Sequence, residues 1–145
     1  MYPNVFVYGT LKTNQCRATC WPAAPISVRV AWTHGRLYDL GPYPALARGE
    51  DRVLGELWHF TPTEMDTVFA TLDRIEGTNQ PGETNEYNRE IVIVHLEDGS
   101  QLSASTYFYA RLDVLQGLEP QPPSYRHRDQ HYVSWPRDTM PAING

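Results

Sequence analysis

Apolar and polar residues alternate in two different rhythms along this chain. Val5-Phe6-Val7-Tyr8 is a short unbroken apolar run closed by Gly9-Thr10, which predicts a buried strand running into a turn. Further strand-like runs lie at Ser27–Trp32, Gly35–Leu40 and Val53–Phe60, with Gly41-Pro42-Tyr43-Pro44 between them as a stiff loop, because each proline fixes its own φ and removes a donor. The rhythm then changes. Met65, Val68, Phe69, Leu72 and Ile75 recur at helical spacing, with Asp66, Thr67, Ala70, Thr71 and Arg74 largely on the other side. Thr61-Pro62-Thr63-Glu64 supplies an N-cap, a proline at the first helical position and the Glu of a capping box, and Gly77 supplies the stop.

After a polar loop at Thr78–Glu86, Tyr87–Leu96 and Leu102–Ala110 read as two strands joined at Asp98-Gly99, a strong hairpin signal. Beyond Leu118 the chain turns irregular around Pro120, Pro122 and Pro123. It predicts an ordered wrap or a lid as far as Trp135, and an end that frays from about Arg137. Strands before, around and after one clear helix predict an α+β domain. A small, mostly antiparallel β-barrel with flanking helices would bury the exposed sheet edges.

One residue breaks the helix pattern. With Met65 at zero and about 100° per residue, Glu76 falls close to Met65, Phe69 and Leu72, and Asp73 falls at the edge of that stripe. A carboxylate on the buried face, one residue before the helix stop, is disfavoured by desolvation and by the negative end of the helix dipole. Both raise its pKa towards the range a proton shuttle needs. Helix geometry alone leaves a second reading equally open, in which Glu76 lies past the last full turn and is simply solvated.

Composition narrows the functional classes. The chain has 145 residues, enough for one compact domain spanning 1–145 and too few for two ordinary ones. A hydrophobic share of 41% with 20% charged residues excludes a disordered, charge-rich chain. The net charge of −5, with Lys12 the sole lysine and no basic stripe, argues against nucleic acid as a partner. There is no apolar run of membrane-spanning length and no basic-then-apolar N-terminal signal, so a cytoplasmic protein without a membrane partner is expected. Charge does not bear on oligomeric state. Cys16 and Cys20 read as reduced thiols, and Cys16 lacks any local signature of a nucleophile. His127 and His131 have a spacing that binds metal on a helix, but they lie in an irregular segment without a nearby third ligand. No metal or cofactor is expected.

Tyr8-Gly9-Thr10-Leu11 after the first strand, followed by Leu72-Asp73-Arg74-Ile75-Glu76-Gly77, resembles the γ-glutamylcyclotransferase superfamily in its AIG2-like, γ-glutamylamine cyclotransferase branch. Gly35-Arg36-Leu37-Tyr38, Tyr43-Pro44-Ala45-Leu46, Val53-Leu54-Gly55-Glu56-Leu57, Tyr87-Asn88-Arg89 and the run Ala104–Tyr109 add to the set, which covers about residues 4–110 and leaves a variable tail, 111–145. The resemblance implies a small β-barrel in which Tyr8, Gly9, Thr10 and Leu11 hold a γ-glutamyl group and Glu76 is the catalytic acid/base. The implied reaction cyclises a γ-glutamyl amine or amino acid to 5-oxoproline. The nucleophile belongs to the substrate, so no cofactor is required. The resemblance also admits a deprotecting cyclotransferase of a biosynthetic pathway, or a binding or regulatory module that keeps the barrel without catalysis. Tyr43, Tyr87 and Arg89 are further candidates for the pocket wall, or for purely structural roles.

Overall fold

The computed structural model describes residues 2–136. Its strands are β1 (Asn4–Val7), β2 (Ser27–Asp39), β3 (Pro44–His59), β4 (Tyr87–Leu96), β5 (Gln101–Tyr109), β6 (Tyr125–His127) and β7 (Gln130–Val133); its helices are α1 (Met65–Glu76) and a single turn, α2 (Leu112–Leu115). The first five strands close on themselves in the order β1-β5-β4-β2-β3, with β3 returning to β1. The barrel is mixed, since β1 runs parallel to β5 while its other pairings are antiparallel. Closure leaves these five strands without a free edge.

Alternation along β1 divides the core in two. Phe6 and Tyr8 point into the barrel, where they meet Leu37, Leu46, Leu57, Val94 and Phe108. Val5 and Val7 point outward, where Met65, Val68, Phe69 and Leu72 of α1 cover them. The helix stripe read from periodicity is therefore the face laid against the barrel wall.

Two boundaries differ from the sequence reading. The runs at 27–32 and 35–40 form one strand, and β3 begins at Pro44 rather than at Val53. Antiparallel pairing with β2 carries β3 through its polar stretch, and the extra residues bulge out between Ala47 and Asp51 opposite Gly35 and Arg36. The capping box also resolves differently. Pro62–Glu64 forms a 3₁₀ turn ahead of α1, closed by the Glu64 N–H on the Thr61 carbonyl, and the Thr61 hydroxyl donates to the Glu64 carboxylate at 2.8 Å. The tight turn has already satisfied the N–H that the Thr61 side chain was expected to cap.

The proline-rich tail is a wrap rather than a lid. β7 adds in parallel to β3, pairing Arg52 with Tyr132 and Val53 with Val133, and β6 folds back on β7. Val133 and Trp135 then enter the barrel core. The end expected to fray, from Arg137, lies outside the described residues. No helix among the described residues is long and apolar enough to cross a membrane.

Candidate active site

The end of β1 and the end of α1 meet. Gly77 adopts a left-handed conformation (φ 64, ψ 43), its N–H bonds the Arg74 carbonyl, and the Thr78 N–H reaches back to Asp73. This Schellman-type closure ends the helix at Glu76. Glu76 thereby opens onto a cavity of about 220 Å³ that Tyr8, Gly9, Thr10 and Leu11 also line, so all five residues singled out in the sequence share one site.

The loop after β1 is built to present backbone. Lys12 N–H bonds the Gly9 carbonyl, closing a turn, and Arg17 N–H bonds the Thr10 carbonyl, folding the next segment back over it. Glu56 on β3 accepts from the Thr13 N–H at 2.8 Å and from the Trp58 indole at 3.1 Å. Trp21 donates to the Leu11 carbonyl and stacks on Trp58 with ring centres 4.2 Å apart. The N–H groups of Gly9, Thr10 and Leu11 find no acceptor among the loop and turn hydrogen bonds of the described residues. All three residues line the cavity, where unspent backbone donors suit an anion. Gly9 has a packing reason as well: a Cβ there would sit 2.6 Å from the Pro44 ring. Tyr8 contributes less than a free phenol, because its hydroxyl is buried and already donates to the Tyr107 carbonyl at 2.5 Å.

Glu76 is only partly exposed and makes no hydrogen bond within the described residues. Burial pushes its carboxyl pKa from the usual 4.5 up to about 7, against the opposing pull of Arg17. Of the two readings left open by helix geometry, the position of Glu76 favours the first: it is half-buried on the cavity wall rather than standing free on the helix surface. Tyr8, Tyr87 and Tyr107 are each pushed well above the ordinary phenol range, by burial first and in part by the Glu76 charge, so all three remain neutral.

The remaining wall comes from distant parts of the chain. Tyr43, Pro44, Tyr87, Tyr107, Glu86, Arg17 and Arg74 line the cavity. Tyr87 is tied to the Pro44 carbonyl at 2.7 Å. Arg89 stands elsewhere: it pairs with Asp73 at 3.2 Å and lies over the Phe69 ring. Tyr107 donates to the same Asp73 at 2.6 Å, which fixes the last turn of α1 on β5. The sequence reading missed Tyr107, Arg17 and Pro44 as wall residues. Tyr107 and Pro44 were signalled only by membership of motif-like runs and Arg17 by nothing, and no spacing relates any of the three to Glu76.

The weaker candidates fall apart spatially. His127 and His131 lie on two strands of a hairpin, with His131 exposed, and Cys16 and Cys20 are exposed free thiols.

A chain with this barrel has known counterparts. The chain belongs to the family described as gamma-glutamyl cyclotransferase, AIG2-like, which matches residues 5–134. It is 32% identical over 115 residues to the gamma-L-glutamyl-butirosin B gamma-glutamyl cyclotransferase of Niallia circulans, across 79% of this chain and 71% of that protein. Among solved structures it is similar to YkqA from Bacillus subtilis, with TM-score 0.54 and 23% identity over 76% of this chain; it spans 36% of that longer chain. It also superposes on a gamma-glutamyl cyclotransferase with TM-score 0.50 at 17% identity, over 82% of this chain and 71% of that one. The last two likenesses show the fold alone.

Proposed function

We propose that this protein is a cyclotransferase that converts a γ-glutamyl amine or γ-glutamyl amino acid into 5-oxoproline and the free amine, with Glu76 as general acid/base. The observation carrying this reading is the partly buried Glu76, its pKa raised to about 7, sharing one cavity with the Gly9–Leu11 turn, whose N–H groups have no acceptor among the loop and turn bonds of the described residues.

The reaction needs no outside nucleophile. The α-nitrogen of the donor attacks its own γ-carbonyl carbon, a C–N bond forms, and the amide C–N bond breaks. Starting from the α-ammonium, two protons leave the α-nitrogen and both end on the departing nitrogen, which leaves as an ammonium, so atoms and charge balance. Near neutral pH the α-amine is an ammonium, and Glu76 takes its proton and delivers one to the leaving group. Such transfer is worth about 10²–10⁴-fold in rate. Holding the flexible γ-glutamyl chain in a ring-closing pose supplies the rest. The N–H groups of Gly9, Thr10 and Leu11 suit the substrate carboxylate or the developing oxyanion, and Thr10 adds a hydroxyl.

A second reading keeps the chemistry and changes the substrate: removal of a γ-glutamyl group that protects a biosynthetic intermediate. The similarity to the Niallia circulans enzyme favours it. A non-catalytic module is disfavoured by the shared cavity of Glu76 and the loop.

The test is a screen of γ-glutamyl amines, amino acids and protected amines for 5-oxoproline release, with Glu76→Gln as control. Glu76→Gln should fold and lose at least about 10²-fold in rate. Full activity in that variant overturns the mechanism.

A further inference from the structure

The cavity is graded in burial and in charge. Its inner wall is buried: Val7, Tyr8, Thr10, Leu11, Tyr87 and Tyr107 are all nearly inaccessible. Its rim is not. Arg17 and Glu86 are partly exposed and Arg74 is exposed. A γ-glutamyl group bent for ring closure at Glu76 occupies the inner part, so the departing amine emerges past that rim. This step rests on the cyclotransferase reading above.

Rim charges are not equivalent. Glu86, the rim acid, is held by Arg111 at 3.5 Å. Arg89, nearby on β4, is held by Asp73. Arg17 and Arg74 have no ion pair or side-chain hydrogen bond among the described residues. Arg17 is moreover fixed by backbone, since its N–H bonds the Thr10 carbonyl at 2.8 Å and the following 3₁₀ turn runs on to Cys20. The carboxylate of Glu76 does not satisfy it, because the two stand beyond ion-pair distance although each feels the other's charge. An arginine held at a cavity mouth with its guanidinium unspent has a planar fork of donors free for a carboxylate.

We infer that Arg17 selects substrates whose departing amine carries a carboxylate, that is γ-glutamyl amino acids or peptides in preference to neutral or cationic amines. The turn amides of Gly9–Leu11 serve the glutamyl end; Arg17 serves the other. A cationic leaving group meets the positive charge of Arg17 at the rim and is disfavoured.

Three substrates of similar size separate the possibilities: γ-glutamyl-alanine, its neutral carboxamide γ-glutamyl-alaninamide, and the cationic γ-glutamyl-(2-aminoethyl)amine. The preference for γ-glutamyl-alanine over the carboxamide should be about tenfold in kcat/KM, carried mainly by KM, as suits a partly exposed charge-assisted contact. The cationic substrate should be slowest. Raising salt should shrink the preference. Arg17→Gln should bring the ratio towards one, Arg17→Lys should keep part of it, and thermal unfolding of both should confirm intact folding. Equal kcat/KM for carboxylate and carboxamide overturns the inference, as does a preference that Arg17→Gln leaves unchanged. Turnover of none of the three overturns this inference and the reading of small γ-glutamyl amines and amino acids as substrates, whereas 5-oxoproline release from a larger γ-glutamyl-protected amine in the same assay would keep the cyclotransferase chemistry.

Discussion

At the scale of single residues, Glu76 links stability to the proposed catalysis. In the folded protein it holds its proton up to about pH 7, whereas an unfolded chain releases it near 4.5. Between those values the native state binds more protons, so this contribution to stability is complete below about 4.5 and is lost as pH rises through 7. The loss is at most about 3 kcal/mol. Glu76→Gln removes it: thermal unfolding should match the unmodified protein at pH 4 and occur several degrees higher at pH 8.5. An equal shift at both pH values would show that Glu76 is not desolvated. Activity should run the opposite way, with kcat/KM rising through about pH 7 as Glu76 ionises. Gly9 is the second residue where backbone and site meet. Gly9→Ala puts a methyl 2.6 Å from the Pro44 ring, so it should cost about 1–3 kcal/mol and weaken substrate binding as the turn shifts.

At the scale of elements, α1 was legible and the strand boundaries were not. Helical spacing, Pro62 and Gly77 mark α1 within its own sequence, and the same spacing exposed Glu76 as a carboxylate on an apolar stripe. Likewise Asp98-Gly99 marked the β4–β5 turn, where Gly99 has φ 89 and the Leu96 carbonyl accepts its N–H. Strand β3 gives no such local sign, because residues 48–52 are polar: 48–50 bulge out of the ladder, and pairing with β2 resumes only at Asp51. The helix end carries its own prediction. Gly77→Ala must hold φ 64 with a side chain and brings Cβ to 3.3 Å from Glu86. It should cost about 1–2 kcal/mol. Since the Glu86 N–H bonds the Gly77 carbonyl, the change should also turn Glu76 and lower kcat. Gly77→Asn, which tolerates the left-handed region, should recover part of both. A fall in stability with kcat unchanged would separate the helix stop from the positioning of Glu76.

For the whole molecule, the question is why the family match runs to residue 134 when the sequence motifs stop near Ala110. Strands β6 and β7 have three and four residues, too few to show a period, and a proline-rich approach hides them. What they bring to the fold is long-range. Trp135 is buried among the barrel residues, and its indole donates to Asp39 at 3.0 Å. The ring also reaches the underside of the substrate loop, since its Cε3 lies 3.9 Å from where a Gly9 Cβ would stand. The described part of the tail, through Trp135, thus packs beneath the turn from inside the barrel, and none of its residues lines the cavity. Trp135→Ala removes both the core volume and that support, at about 3–5 kcal/mol. Trp135→Phe keeps much of the ring and gives up the hydrogen bond, at about 1 kcal/mol. If the support matters to function, Trp135→Ala should raise KM at temperatures where it is still fully folded by circular dichroism, and Trp135→Phe should not. A folded Trp135→Ala with unchanged KM would confine the tail to stability, leaving the β1 turn positioned by Pro44, Glu56 and the stacked Trp21 and Trp58 alone.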